Sequence, residues 1–488
     1  MYSWLPHPCR ALCNRLGKAT FEHREYKTAS QGGMRRSSKT GDRRSAAQMH
    51  ALAAVRREIV SRDSSGGRKY LREYTQAFRH YDCVLTAQQL DERVSAASIL
   101  LVGDYHALPA SQEYAASLIE QMASRRPVVL GMEAVLSRDQ PILDSWWRRE
   151  ISEQELRKRL RVDHDWGYAW EPLFELLTSA RDHADGVCGL DCMPREDMRR
   201  IRSRDRHATA KLGEMRERHP HATLVVLFGE SHMAPEHLPR LVKEAFPDER
   251  VLTVLQNVDA LYWHAMSVNA GAVSTGPDSV CVFNSSPLEK YESYRLCLER
   301  WHGDDQPDFA PAIYNLIFSL ARTLGFRLDS PHNGIQPKYL ADSLPEVVNV
   351  AQSSDEMSAG SFDESRLSAL EEHGCAYIPE KNTFYVREFR MPHVAVEAAR
   401  FLHHACRGMS NTRCSLTSKI ENALAHFGGR LLSPGSRQED CFRNEEGERL
   451  YNAYLEGRVT KAAAKRMFLA HIESAEQSQA LLTRLRTI

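Results

Sequence analysis

No apolar run in the 488-residue chain approaches the roughly 20 residues that a bilayer-spanning helix needs. The amino terminus also lacks a signal-peptide core. Trp4-Leu-Pro-His-Pro-Cys9 is broken by Pro and His, and Arg10 and Arg15 follow at once. Cys9 and Cys13 have no lipoprotein-type apolar stretch before them, and Met34 and Met49 are alternative starts. None of the eleven cysteines forms a Cys-x-x-Cys pair. That usage fits reduced thiols in a cytoplasmic protein rather than a disulfide framework. Net charge is missing too: 64 basic and 64 acidic side chains leave +0, so nothing global argues for nucleic acid or a membrane surface.

The balance hides a basic start. Arg10, Arg15, Lys18, Arg24, Lys27, Arg35, Arg36, Lys39, Arg43 and Arg44 face only Glu22, Glu25 and Asp42. Residues 1–68, closing on Ser64-Ser-Gly-Gly67, therefore read as a basic, disordered tail, with a helix around Ala46–Val60 its one element. An amphipathic helical segment is expected from Lys69 to about Ser95.

A regular alternation follows. Strands are expected at Ile99–Val102, Val128–Gly131, Gly186–Leu190, Leu224–Phe228 and Val251–Leu255. Helices are expected at Ser111–Ser124, Leu143–Leu160, Trp170–His183, Arg195–Arg218 and Glu236–Ala245. This pattern predicts an α/β fold over residues 69–265: a mainly parallel central sheet with helices on both faces. Residues 266–488 read as a mostly helical carboxy-terminal region of unknown role. A strand at Val280–Phe283, helices at Leu288–Trp301, Ala312–Leu324, Ala395–Ala405 and Glu445–Ser474, and a hairpin of Tyr377–Ile378 with Thr383–Val386 are expected there. Gln352–Asp363 reads as a loop.

Two of the strands run straight into Gly-x-x-His: Gly103-Asp104-Tyr105-His106 and Gly229-Glu230-Ser231-His232. Chance alone gives about one such string in a chain of this composition, so the weight lies in the equivalent strand-end placement. Between them Gly131-Met132-Glu133 ends a third strand. Open α/β sheets build their sites at this edge. Two His and a carboxylate suit a divalent metal such as zinc, iron or manganese. They equally suit a metal-free acid–base set. In the first case Asp104 and Glu230 are further ligands or partners of the ligands. In the bland alternative each His caps a turn and binds nothing.

Other segments leave alternatives open. Around Gly167, Trp166, Tyr168 and Trp170 either wall a pocket over the strand ends or staple the following helix to the sheet. Arg199, Arg200, Arg202, Arg204 and Arg206 could hold phosphates or propionates, but such a run is more often a solvated helix face. His207, His219, His221 and His237 read as surface or capping residues, and Cys188 with Cys192 has weak metal-site spacing.

In this order the motifs resemble the ChaN-like haem-binding-uptake family, of the superfamily that includes Tiki and TraB proteins and erythromycin esterases. The matching residues are Gly103-Asp104-Tyr105-His106, Gly131-Met132-Glu133, the Trp166–Leu177 segment, Arg204-Asp205 and Gly229-Glu230-Ser231-His232. Asp104 stands where Glu is usual. The resemblance covers about residues 95–258. It implies that His106, Glu133 and His232 are the functional residues, whether catalytic or metal-binding. It adds Tyr105, Trp166 and Tyr168 as cofactor-binding candidates. Its members imply three activities: haem or iron binding, metal-dependent proteolysis, and ester hydrolysis by His and Glu. The cofactor expectation is a divalent metal or haem, and the ligand a small molecule, haem or a peptide. A homodimer is left open, as is a non-catalytic scaffold role.

Overall fold

The computed structural model describes residues 37–63, 69–193, 201–301, 307–326, 344–350, 364–407, 415–433, 444–470 and 475–488. The expected loop at Gln352–Asp363 and Arg195, Arg199 and Arg200 lie outside them.

Helix α1 (Ser37–Arg62) is followed by α2 (Lys69–Ala77), β1 (Cys83–Leu85) and α3 (Ala87–Ala96). The alternating part comprises β2 (Ile99–Asp104), α4 (Pro109–Ala123), β3 (Val128–Leu136), α5 (Gln140–Trp147), α6 (Glu153–Arg159), α7 (Trp170–His183), β4 (Gly186–Asp191), α8 (Ile201–Arg218), β5 (Thr223–Gly229), α9 (Leu238–Ala245) and β6 (Val251–Gln256). Then come α10 (Asp259–Ser267), β7 (Ala272–Gly276), β8 (Ser279–Val282), α11 (Pro287–Trp301) and α12 (Ala310–Leu324). The last part holds β9 (Glu346–Asn349), α13 (Glu364–His373), β10 (Cys375–Ile378), β11 (Thr383–Val386), α14 (Met391–Arg407), α15 (Ser415–Leu432), α16 (Glu445–Leu455), α17 (Lys461–Phe468) and α18 (Ala475–Thr487).

Eight strands form the main sheet in the order β1-β7-β8-β6-β2-β5-β3-β4. Every pair from β8 to β4 is parallel, and only β1–β7 and β7–β8 are antiparallel. The central strands are apolar throughout because both faces are covered. Alternate residues serve opposite sides. Leu100, Val102, Val225 and Leu227 pack with residues of α4 and α7, while Ile99, Leu101, Leu224 and Val226 pack with those of α8 and α9. The α/β expectation thus matches the architecture, and the sheet continues past residue 265 through β7 and β8.

Several elements differ from expectation, among them the helical segment expected from Lys69 to about Ser95, which strand β1 interrupts. The end of the basic tail is the 26-residue α1, which buries Ala47, Ala51, Leu52, Val55 and Ile59 in the carboxy-terminal core beside Leu316, Leu320 and Phe427. This apolar stripe at helical spacing is masked in composition by the charges around it. The helix expected over Leu143–Leu160 is broken at Arg149, which adopts φ 61, and α6 restarts on the Ser152 cap. The helix expected over Glu445–Ser474 breaks at Gly457, φ 83, and restarts on the Thr460 cap. The hairpin is present as β10 and β11, with β9 adding parallel to β11.

Candidate functional site

Strand β5 lies between β2 and β3, so the ends of β2 and β5 lie beside Glu133. Glu133 sits within β3 just past its pairing with β5, and the strand expected to end there runs on to Leu136. β2 and β5 stay in register to their last residues, with Asp104 opposite Gly229. Glu133 reaches across to the neighbouring end, where Oε2 accepts the Gly229 N–H at 2.5 Å. A Cβ on residue 229 would lie 2.9 Å from that oxygen and 3.2 Å from His106 Nε2, so the close approach requires glycine.

Each histidine is oriented by its own carboxylate. His106 Nδ1 lies 2.7 Å from Asp104 Oδ2, and Gln112 of α4 donates to Asp104 Oδ1 at 2.6 Å. His232 Nδ1 lies 2.5 Å from Asp205 Oδ1. An ionised carboxylate only accepts, so both Nδ1 atoms carry the proton and both Nε2 atoms face the site. They converge on Glu133: His106 Nε2 is 3.6 Å from Oε2, and His232 Nε2 is 4.0 Å from Oε1.

Glu133 is held from behind by Arg204, which donates to its Oε1 and, at 2.8 Å each, to both oxygens of Asp191. Burial alone would raise the Glu133 pKa. The Arg204 guanidinium, the two imidazoles and the Gly229 N–H outweigh it and hold the carboxyl well below its ordinary range. Arg204 in turn loses to burial but gains more from Glu133 and Asp191. An ionised carboxylate thus sits between two imidazoles.

The remaining expected residues divide. Trp166 and Tyr168 pack on the His106 ring, with centroids 4.4 and 5.2 Å away, so they wall the site. Trp170 instead packs inward, stacked on Phe174. Tyr105 is half-buried, its ring 4.6 Å from Lys290 Nζ of α11. Glu230 turns away from the imidazoles and pairs with Lys290 of α11 at 2.8 Å. Burial disfavours the Lys290 ammonium, but Glu230 more than restores it. Of the five arginines, Arg204 is buried in the site, whereas Arg202 and Arg206 are exposed.

Several contributors carried no motif. Tyr70 of α2 donates to Asp205, and Lys290 and Trp301 come from α11. His237, expected as a surface or capping residue, stands at the N-terminal cap position of α9 and is 4% exposed. Asp191 and Gln112 had weak signals only, an acid at a strand end and a polar residue in the first turns of α4.

The donor set does not suit a divalent cation. One Glu133 oxygen already holds a guanidinium, which would repel a bound cation, and the other holds an amide N–H. Among the described residues no group of three or more His, Cys, Asp or Glu is arranged to hold a metal ion. Nor does the arrangement suit haem ligation. Both Nε2 atoms point at a carboxylate, and burial raises the Tyr105 and Tyr168 hydroxyls away from the phenolate form that would ligate iron. No helix among the described residues is long and apolar enough to cross a membrane.

No curated protein matches the sequence. A solved structure of cofacial haem binding to ChaN of Campylobacter jejuni is 12% identical, covering 36% of this chain and 86% of that one, with a TM-score of 0.27. The structure of the type III effector HopBA1 is also 12% identical, covering 42% of this chain and 96% of that one, with a TM-score of 0.32. Residues 90–223 match the model of the family described as haem-binding uptake, Tiki superfamily, ChaN, the same family that the strand-end motifs resemble.

Proposed function

We propose that the strand-end site is a metal-independent hydrolase centre in which His106 and His232 act as an acid–base pair. One observation carries the reading. Two imidazoles, each oriented through Nδ1 by a buried aspartate, turn their Nε2 atoms toward opposite oxygens of one ionised glutamate. Structural histidines seldom need this doubled arrangement; proton transfer does.

His106, the more accessible ring, takes a proton from water at Nε2 as that water attacks the acyl carbon. Asp104 stabilises the imidazolium that forms. His232 enters the cycle protonated at Nε2 and gives that proton to the leaving group. Glu133 stays ionised and favours whichever ring is charged. At the end one proton has moved from His232 to the leaving group and one from water to His106. Exchange through solvent or Glu133 resets the pair.

The buried charge narrows the substrate. Four acidic side chains, Asp104, Glu133, Asp191 and Asp205, are buried around one guanidinium, Arg204, and they outnumber it even when both imidazoles are charged. At about 8 Å and an effective dielectric near 20, each unit of like charge costs about 2 kcal/mol. The substrate is therefore an uncharged or cationic ester or amide.

The test is hydrolysis of uncharged aryl esters by chelated protein. His106→Asn and His232→Asn should each lower kcat about 100-fold or more. A rate that needs added zinc, iron or manganese would favour the metal-dependent alternative.

The matched family favours a second reading, haem binding, with Trp166 and Tyr168 beside His106 as the face a porphyrin would meet. A haem titration whose Soret band changes in the wild type but not in Trp166→Ala/Tyr168→Ala would support it.

A further inference from the structure

Helix α2 was expected only as an approach segment, and it lies outside the segment matched by the family model. Three of its residues nevertheless grip three successive positions of the second Gly-x-x-His motif. Tyr70, Glu73 and Tyr74 share one helix face by their i, i+3, i+4 spacing. Tyr74 OH lies 3.4 Å from Glu230 Oε2. Glu73 meets His237 Nε2 at 2.8 Å, and His237 Nδ1 reaches the Ser231 carbonyl at 3.1 Å. Tyr70 OH donates to Asp205 Oδ2 at 2.5 Å, behind His232.

We propose that Tyr70 is a positioning residue for His232, acting through Asp205, and that α2 is the clamp that completes the acid–base site. This rests on the hydrolase reading for its kinetic consequence but not for its structural one.

The argument is an account of donors. Asp205 is fully buried. Its Oδ1 faces His232 Nδ1 and its Oδ2 faces the Tyr70 hydroxyl. A phenol beside a buried carboxylate keeps its proton and donates. Asp205 then has one oxygen left for the imidazole, which must present Nδ1–H to it. The tautomer with Nε2 turned toward Glu133 follows. The Tyr70 ring fixes the rest of the geometry, stacked on His237 at 3.6 Å between centroids and edge-on to His232 at 5.7 Å. Without the hydroxyl, Asp205 Oδ2 is buried with one donor fewer, and the carboxylate can rotate away from the line that orients His232.

Tyr70→Phe keeps both ring contacts and removes only the hydroxyl. Two readouts are taken on the full chain: the low-field Nδ1–H proton resonance of His232 by NMR, assigned with His232→Asn, and the kcat and KM for an uncharged aryl ester. The resonance should move upfield or broaden by exchange. The kcat should fall about tenfold with KM little changed, the size expected for one hydrogen bond to a charged group. An unmoved resonance overturns the proposal, whatever the activity. If the wild type hydrolyses no ester while the resonance moves as expected, the positioning role stands and the hydrolase reading fails. A Tyr70→Phe chain that melts like wild type yet loses kcat with an unmoved resonance also overturns it. Glu73→Gln, which leaves the Tyr70 hydroxyl in place, should leave the resonance where it is; a shift as large as that of Tyr70→Phe would overturn the assignment to Tyr70.

Discussion

Trp301 donates its indole N–H to the carbonyl oxygen of Gly167 at 2.6 Å. One partner ends α11; the other, at φ 79, is the turn between Trp166 and Tyr168. The hydrogen bond fastens the aromatic wall over His106 to a helix that lies beyond residues 90–223. Lys290, eleven positions earlier on that helix, fastens Glu230 on the other side of the site. Helix α11 therefore spans both Gly-x-x-His ends.

Trp301→Phe keeps the ring against Tyr168 but removes the donor. The wall should loosen while the imidazoles stay in place. The KM for an aryl ester should rise about threefold to tenfold, with kcat little affected. Steady-state kinetics read the split.

Arg204→Met leaves Glu133 and Asp191 buried without their cation. Removing one partner of a buried pair costs about 3–5 kcal/mol. Urea denaturation should show that loss. The double variant Arg204→Met/Glu133→Gln should lose less than the two single losses added, because the two groups act as a unit.

How far the sequence carried the site follows from what each residue type signals. His106, Glu133 and His232 were legible because a glycine at a parallel strand end makes a pattern in one dimension. Arg204-Asp205 was legible as a pair only through the family resemblance. The structure gives the two residues separate tasks, the arginine on Glu133 and the aspartate on His232. Tyr70, Lys290 and Trp301 were illegible because they reach the site from helices whose sequences look like ordinary amphipathic faces. Only tertiary packing shows that one side chain of each points at a strand end. The helix of α1 was expected around Ala46–Val60, but its packing into the carboxy-terminal core was hidden because the buried stripe is diluted by arginines. Glu230 was read as a further ligand or a partner of one; strand geometry does not tell which way a residue after the glycine turns, and here it turns to Lys290.

Stability should depend on pH through Glu133. Its folded-state pKa lies below the ordinary 4.5, so ionisation favours the folded chain. That contribution is complete above about pH 4.5 and is lost as pH falls through the lower folded value. Glu133→Gln should be clearly less stable than wild type near neutral pH, and the gap should narrow in increasing acid. Urea midpoints across acid pH measure it; a constant gap would contradict the account.

Gly229→Ala places a methyl group against Glu133 and His106. Glu133 belongs to a rigid network with Arg204 and Asp191, so it cannot simply withdraw. The variant should fold with a cost of about 1–3 kcal/mol and lose most activity, as overpacking of a close site does. Thermal melts and ester hydrolysis check the two effects separately.

The most direct test of the two-histidine account is the pH–rate profile of the chelated protein on one uncharged ester. The account predicts a bell for the wild type. His106→Asn should abolish the low-pH limb, where the base must lose its proton, and His232→Asn the high-pH limb, where the acid must keep its own. A profile whose shape both variants leave unchanged, or a rate that appears only when divalent metal is returned, would contradict it.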